Sequence, residues 1–201
     1  MKKVMLAACV LFSALSLTSC EDEELSKSTF ALEESNSKVI WKGYSPALYH
    51  DGSFRVQSQD IQVVDGQVTS GTFTVPIATI ANFDLPDEVK PVLLDHLKSP
   101  DFFNLALHPT ASFRITKVQP LARVSEGANY TVTGDFTMLG QTHPIAFPAN
   151  INLQGSKLEL EASFKLDRTK WGMTYATDPA LGDHHILPEV DIHFDLTANR
   201  K

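Results

Sequence analysis

The sequence predicts an all-β domain interrupted by one short helix. The first observation is alternation with a period of two. Along 157–167, Leu158, Leu160, Ala162, Phe164 and Leu166 share one face, and Glu159, Glu161, Ser163, Lys165 and Asp167 share the other. Tyr130–Met138 and Glu189–Leu196 repeat the pattern. Alternation of this kind marks half-buried antiparallel strands. The second observation is tight-turn chemistry at Asp65-Gly66, Leu139-Gly140 and Gly155-Ser156, between segments that alternate. The third is a single break in the rhythm, Pro91–Ser99, where Leu93, Leu94 and Leu97 fall at helical spacing. Pro91 suits a first helical turn, and Ser99-Pro100 ends the run.

In chain order the strands are expected near 38–45, 53–64, 67–76, 111–118, 129–138, 143–152, 157–167 and 188–198. The second is long enough to break at a bend, which places the helix between the fourth and fifth strands. About eight strands with one buried face make either a sandwich or a closed barrel, and a barrel leaves no edge exposed. The helix then has two places to go, over one mouth or against the outer wall.

The chain opens with Met1-Lys2-Lys3 and an apolar run broken by Ser13, Ser16 and Thr18. That run is short of the roughly 20 residues a spanning helix needs and has the layout of a secretory signal over 1–19. It ends in Leu17-Thr18-Ser19-Cys20, which resembles the bacterial lipoprotein box. The resemblance implies cleavage before Cys20, acylation of that residue and attachment to a membrane of the bacterial cell envelope through several acyl chains, an anchor that is hard to reverse. Cys9 leaves with the leader, so Cys20 would be a lone cysteine in an oxidising compartment, which fits a thiol that is used. The acids Glu21-Asp22-Glu23-Glu24 resemble a tag for the outer face of the outer membrane, but they also suit a solvated tether. Both the periplasmic and the surface face therefore stay open. Residues 20–37 read as an acidic tether and 38–201 as the domain, although Phe30 and Leu32 are spaced to begin an edge strand.

Formal net charge is −7 over 201 residues, and it becomes more acidic when Lys2 and Lys3 leave. There is no Lys/Arg cluster, which argues against nucleic acid as a partner. An acidic body also disfavours flat adsorption on anionic lipid, which leaves membrane contact to the acyl chains.

Four segments together resemble the YceI-like family of bacterial secreted proteins. They are Asp95–Val118 ("DHLKSPDFFNLALHPTASFRITKV"), Val132–Pro148, Phe164–Met173 ("FKLDRTKWGM") and the opening strands with "VIWKGYS" and Val64–Ile80. The resemblance runs from about Lys38 to Ala198. It implies an extended, lipocalin-like, eight-stranded antiparallel barrel whose long apolar interior holds a polyisoprenoid, an isoprenoid quinone or another long-chain lipid, with no other cofactor. Eight strands leave room for side chains or for one slim ligand. With 12 phenylalanines in the chain, Phe73, Phe113, Phe136, Phe147, Phe164 and Trp171 are the lumen candidates. Aromatic side chains also fill solid cores, so a packed interior is the alternative. Arg168 matches the family's arginine and is either a fixed cation for a ligand headgroup or half of a rim ion pair with an acid. Gln141-Thr142-His143 stands where a basic residue is common in the family, which removes a charge at that turn.

No G-x-S-x-G, H-E-x-x-H, P-loop or G-x-G-x-x-G pattern occurs, so the sequence offers no enzyme signature. His184-His185, with Asp183 and Glu189 nearby, are the one place to look for a metal, though adjacent histidines diverge on a strand and no third ligand is spaced to join them. The expectation is a non-enzymatic lipid-binding barrel. A second reading is an adhesion module with a solid core that binds through loops near 44–53 and 176–187. An outer barrel wall also leaves room for a homodimer.

Overall fold

The structure, a computed structural model, describes residues 25–125 and 127–201. The expected leader and Cys20 lie outside the described residues. Thirteen strand segments and one α-helix are found among the described residues. The strands are β1 (Lys27–Leu32), β2 (Lys38–Tyr44), β3 (Tyr49–Arg55), β4 (Gln57–Ser58), β5 (Ile61–Val64), β6 (Gln67–Ser70), β7 (Thr72–Pro76), β8 (Ala81–Asn82), β9 (Thr110–Ser125), β10 (Ala128–Met138), β11 (Gln141–Gln154), β12 (Lys157–Asp167) and β13 (Glu189–Arg200). The helix α1 is Lys90–Lys98.

These segments are bent pieces of eight long runs. β1 and β2 form the first run, β3, β4 and β5 the second, β6, β7 and β8 the third, and β9 to β13 one each. All pairs are antiparallel, and the circuit returns to its start. β7 pairs with β9, then β9 with β10, β10 with β11, β11 with β12 and β12 with β13. β13 in turn pairs with both β1 and β2, which pair with β5 and β3. The second run closes on the third through β3–β8, β4–β7 and β5–β6. The expected eight-stranded barrel is therefore present, with its second run broken as anticipated and its first and third broken as well.

The turns explain the hairpins. Asp65 and Gly66 both have positive φ, 49° and 76°, as do Leu139 and Gly140 at 52° and 73°. Two successive positive φ values belong to the turns whose twist matches that of paired strands.

The domain starts earlier than composition suggested. Lys27–Leu32, read as tether, is a strand inserted between β13 and β5, with Phe30 fully buried. Acidic, Ser-rich flanks outweighed two apolar residues in a composition reading, whereas the alternation at Phe30 and Leu32 was the better guide.

One end of the barrel is sealed. Phe30, Ile61, Val63, Leu158 and Ala198 are at most 1% exposed and belong to one apolar cluster. Phe30→Ala should lower stability by about 3–5 kcal/mol, read from the urea midpoint. A tether residue would leave the midpoint unchanged.

Candidate functional site

Above the sealed end the barrel is hollow. A cavity of about 480 Å³ runs from Val56, Val132 and Leu196 up to the β2–β3 hairpin at Tyr44–Tyr49. Its wall is almost wholly apolar because every second residue of each strand points inward. On β13 these are Val190, Ile192, Phe194 and Leu196, which cover roughly 20 Å of strand at about 3.3 Å per residue. The volume lies within the usual range for small-molecule sites, about 300–1,000 Å³.

Five of the six aromatic lumen candidates line this cavity: Phe73, Phe113, Phe136, Phe147 and Phe164. Phe147 is the hub. It stacks on Phe164 with centroids 4.4 Å apart and planes 6° apart, and Phe113 and Phe194 lie at 5.4 and 5.5 Å. Gly134 makes room for this cluster, since a Cβ there would sit 2.4 Å from the Phe113 ring. The sixth candidate, Trp171, does not line the cavity. It is buried beside Phe136 and His143, donates Nε1–H to the Phe136 carbonyl at 3.1 Å, and faces a groove in the outer wall. It follows β12 in a 3-10 turn (Arg168–Trp171), so strand periodicity does not extend to it. The sequence reading missed Phe54, Phe102, Phe103 and Phe194 as cavity residues. Phe194 was visible in the alternation of β13, whereas Phe102 and Phe103 sit in a turn that carries no period.

The mouth is overlaid by α1 and the loops after α1 and β12. Leu93, His96 and Leu97 of α1 line the cavity, so the helix covers a mouth rather than the outer wall. Asp84 fixes the approach to α1. Its carboxylate accepts from Asp51 N at 3.0 Å and from Asn82 Nδ2 at 2.6 Å, and pairs with His50 Nδ1 at 2.7 Å. Burial alone would raise the Asp84 pKa, but these hydrogen bonds outweigh it and hold the carboxyl below its ordinary value. His96 then meets Phe102 and Tyr175 edge to face, with Phe102 and Tyr175 tilted against each other and all centroids 4.9 to 5.3 Å apart, which joins the helix to the loop after β12.

Arg168 lines the cavity but is not half of a rim ion pair. It is 3% exposed and donates to four backbone carbonyls: Met173 (2.7 Å), Tyr175 (2.9 Å), Ile186 (3.0 Å) and Leu187 (3.3 Å). No carboxylate lies within ion-pair distance among the described residues, and burial lowers its pKa. Its planar fork stitches both limbs of the 173–187 loop together. The sequence signal for this is limited to the loss of strand alternation from Met173 to Leu187.

His184 ends a turn (Pro179–His184) and is exposed, while His185 is half-buried. Among the described residues, no three His, Cys, Asp or Glu side chains converge as a metal set. Asn129 is committed to the fold, since its amide both donates to and accepts from the Ile151 backbone at 2.9 and 2.8 Å. Trp41 is 8% exposed in the cavity wall, and its Nε1 has no hydrogen-bond partner among the described residues.

The YceI-like domain model matches residues 30–198. This chain belongs to the YceI-like family. A UPF0312 protein of Photorhabdus laumondii is 40% identical over 60 residues, 30% of this chain and 29% of that protein. A UPF0312 protein of Pseudomonas aeruginosa is 29% identical over 102 residues, 48% of this chain and 51% of its own. The matched segments thus span between under a third and about half of these relatives. Among solved structures, Burkholderia cenocepacia BcnA superposes with a TM-score of 0.66 at 21% identity, covering 84% of this chain and 99% of its own. A Saccharophagus degradans domain described as polyisoprenoid binding gives 0.62 at 12% identity, covering 89% of this chain and 100% of its own. At such identities the YceI-like likeness is one of fold.

Two outcomes follow from the mouth of this YceI-like domain. Arg168→Lys keeps the charge but offers too few donors in the wrong geometry, so it should cost about 2–3 kcal/mol, read by denaturant titration. For Asp84 the folded pKa is depressed, so its stabilisation is full above the ordinary carboxylate value near 3.9 and is lost as pH falls through the lower folded value. Thermal melts from pH 6 to 2 should show a shallower acid decline for Asp84→Asn than for the unaltered protein.

Proposed function

We propose that this protein is a non-enzymatic carrier of a long-chain apolar lipid, with an isoprenoid quinone as the best-fitting class. The observation that carries the reading is the cavity itself, with its nearly unbroken apolar lining, sealed end and length suited to an extended tail. Burying such a tail gains roughly 0.8 kcal/mol per methylene. The polyisoprenoid binding attributed to the Saccharophagus degradans domain supports the same ligand type.

Two residues favour a neutral headgroup over a diphosphate. Among the described residues, Arg168 is the only Lys or Arg in the cavity lining, and four of its five N–H donors go to carbonyls. Trp41, in contrast, is a wall residue whose buried Nε1 has no partner among the described residues, and a small side-chain shift that brings it to a carbonyl oxygen gains a hydrogen bond.

The proposal includes acylation at Cys20 and a place in the bacterial cell envelope, on the periplasmic or the surface face. Its support is the sequence around Cys20. The described chain enters at the sealed end, where Lys27 pairs with Val64. An anchor at Cys20 therefore tethers the closed end and directs the mouth away from the anchoring membrane. The rim there exposes Leu48, Tyr49, Phe83, Val92 and Leu181.

The test is native mass spectrometry of the Cys20→Ser chain purified from its host, followed by organic extraction. Recovery in the soluble fraction with about one long-chain lipid per chain is expected. A protein that stays empty after incubation with isoprenoid quinones would overturn the carrier reading, and persistent membrane attachment would overturn the anchor. Ala149 lies in the cavity wall at 1% exposure. Ala149→Trp should push bulk into the lumen and reduce lipid content about tenfold or more at a stability cost of about 1–3 kcal/mol, read by urea titration alongside the lipid assay.

A further inference from the structure

The barrel wall carries a split between β11 and β12. The two strands pair only from Asn150↔Glu161 to Gln154↔Lys157. Beyond that point each keeps its other neighbour: β11 stays on β10 from Ala149 to Gln141, and β12 stays on β13 as far as Asp167. Residues 141–149 and 162–167 thus face each other without strand pairing among the described residues.

Sequence chemistry keeps this split open. The Ile151 backbone N–H and carbonyl both bond to Asn129 on β10. Backbone groups alternate sides along a strand, so odd-numbered residues of β11 address β10 and even-numbered ones address β12. Pro144 and Pro148 are even. Each removes a donor from the edge that would have to zip against β12, and neither disturbs the ladder to β10.

The split leads into the lumen. Outside it lies a groove bordered by His143, Pro144, Lys165 and Lys170. Ile145, Phe164 and Leu166 line both this groove and the cavity, so one layer of side chains is all that separates them. Trp171 bounds the slot at the mouth end through its bond to Phe136 O, and the Asn150–Glu161 pair bounds it below.

We infer that the β11–β12 split is the route by which a chain-shaped apolar ligand enters and leaves, with Ile145, Phe164 and Leu166 as the partition that parts. This inference rests on the carrier reading above. Energetics favour the split over the mouth. Opening the mouth disrupts the Asp84 network, the His96 stack and the Arg168 carbonyl bonds. Opening the split disrupts side-chain contacts alone, chiefly the Phe147–Phe164 stack. The slot also runs lengthwise, about 17 Å over residues 162–167 at about 3.3 Å per residue, so a tail departs sideways instead of threading out end first.

The test uses the full chain with Cys9→Ser and Cys20→Ser, loaded with retinol, and follows fluorescence as retinol transfers to excess phosphatidylcholine vesicles. Continuing the β11–β12 register would set Ala146 opposite Lys165. Ala146→Cys with Lys165→Cys, bridged by a short bismaleimide, locks the split. His96→Cys with Tyr175→Cys, bridged in the same way, locks the mouth. Release should slow about tenfold or more with the split locked and change less than twofold with the mouth locked. Pro144→Thr with Pro148→Thr, which restores both donors without a cross-link, should also slow release, by about threefold. Slowing by the mouth lock alone would overturn the split as the route, as would release unchanged in both split variants. Failure of the unlocked chain to take up retinol would overturn the carrier reading and the route with it.

Discussion

β13 hydrogen-bonds to β12 along nearly all its length on one side, and on the other to β2 and then β1. Without that second partnership the eight runs would form an open meander with two exposed edges, a hazard that closure removes. Closure also forces inward-facing residues from all eight runs onto one axis. The sealed floor, the hollow above it and the rim all follow from this join. β1, the least strand-like segment by composition, is needed for it, because it pairs with β13 beside the floor and carries Phe30 into it.

Along the axis the filling changes. Near the floor, Phe30, Ile61, Leu158 and Ala198 come from strands that converge closely enough to touch. Higher up, the wall residues are phenylalanines that meet each other around Phe147 but leave space beside them. Packed interiors usually leave few voids larger than a water molecule. A hollow of about 480 Å³, apolar along its length and polar only at the mouth, is therefore a costly feature for a domain to keep, and its retention is most simply understood through a ligand that completes the packing. The mouth, by contrast, is built from polar ties that order elements with little core of their own, namely α1, its preceding loop and the loop stitched by Arg168.

The wall differs around its circumference. The β9–β10, β10–β11 and β12–β13 ladders are long, while β11–β12 is short and ends where prolines remove donors. A barrel closed everywhere would be stiff on every side. The β11–β12 slot lies over the aromatic hub between two long ladders, so ligand capacity and ligand access are assigned to different parts of the same sheet.

Alternation at 157–167, 130–138 and 189–196 was enough to determine strands, their inward faces and the all-β class, because a period of two leaves no other arrangement of the apolar residues. The Asp-Gly and Leu-Gly pairs determined the hairpins, and five of the six aromatic lumen candidates followed from the same parity. Tertiary structure decided what depends on distant partners. Phe30 is a core residue because β13 and β5 flank it. Trp171 leaves the lumen because it lies past the end of β12, and Arg168 serves carbonyls because the loop it orders folds back beside it. The hollow also belongs to this second class, since the same inward phenylalanines suit a solid core or a lined cavity, and only the spacing of eight closed runs chooses between them. The prolines at 144 and 148 were plain in the sequence, but their meaning required knowing which neighbour each residue of β11 faces.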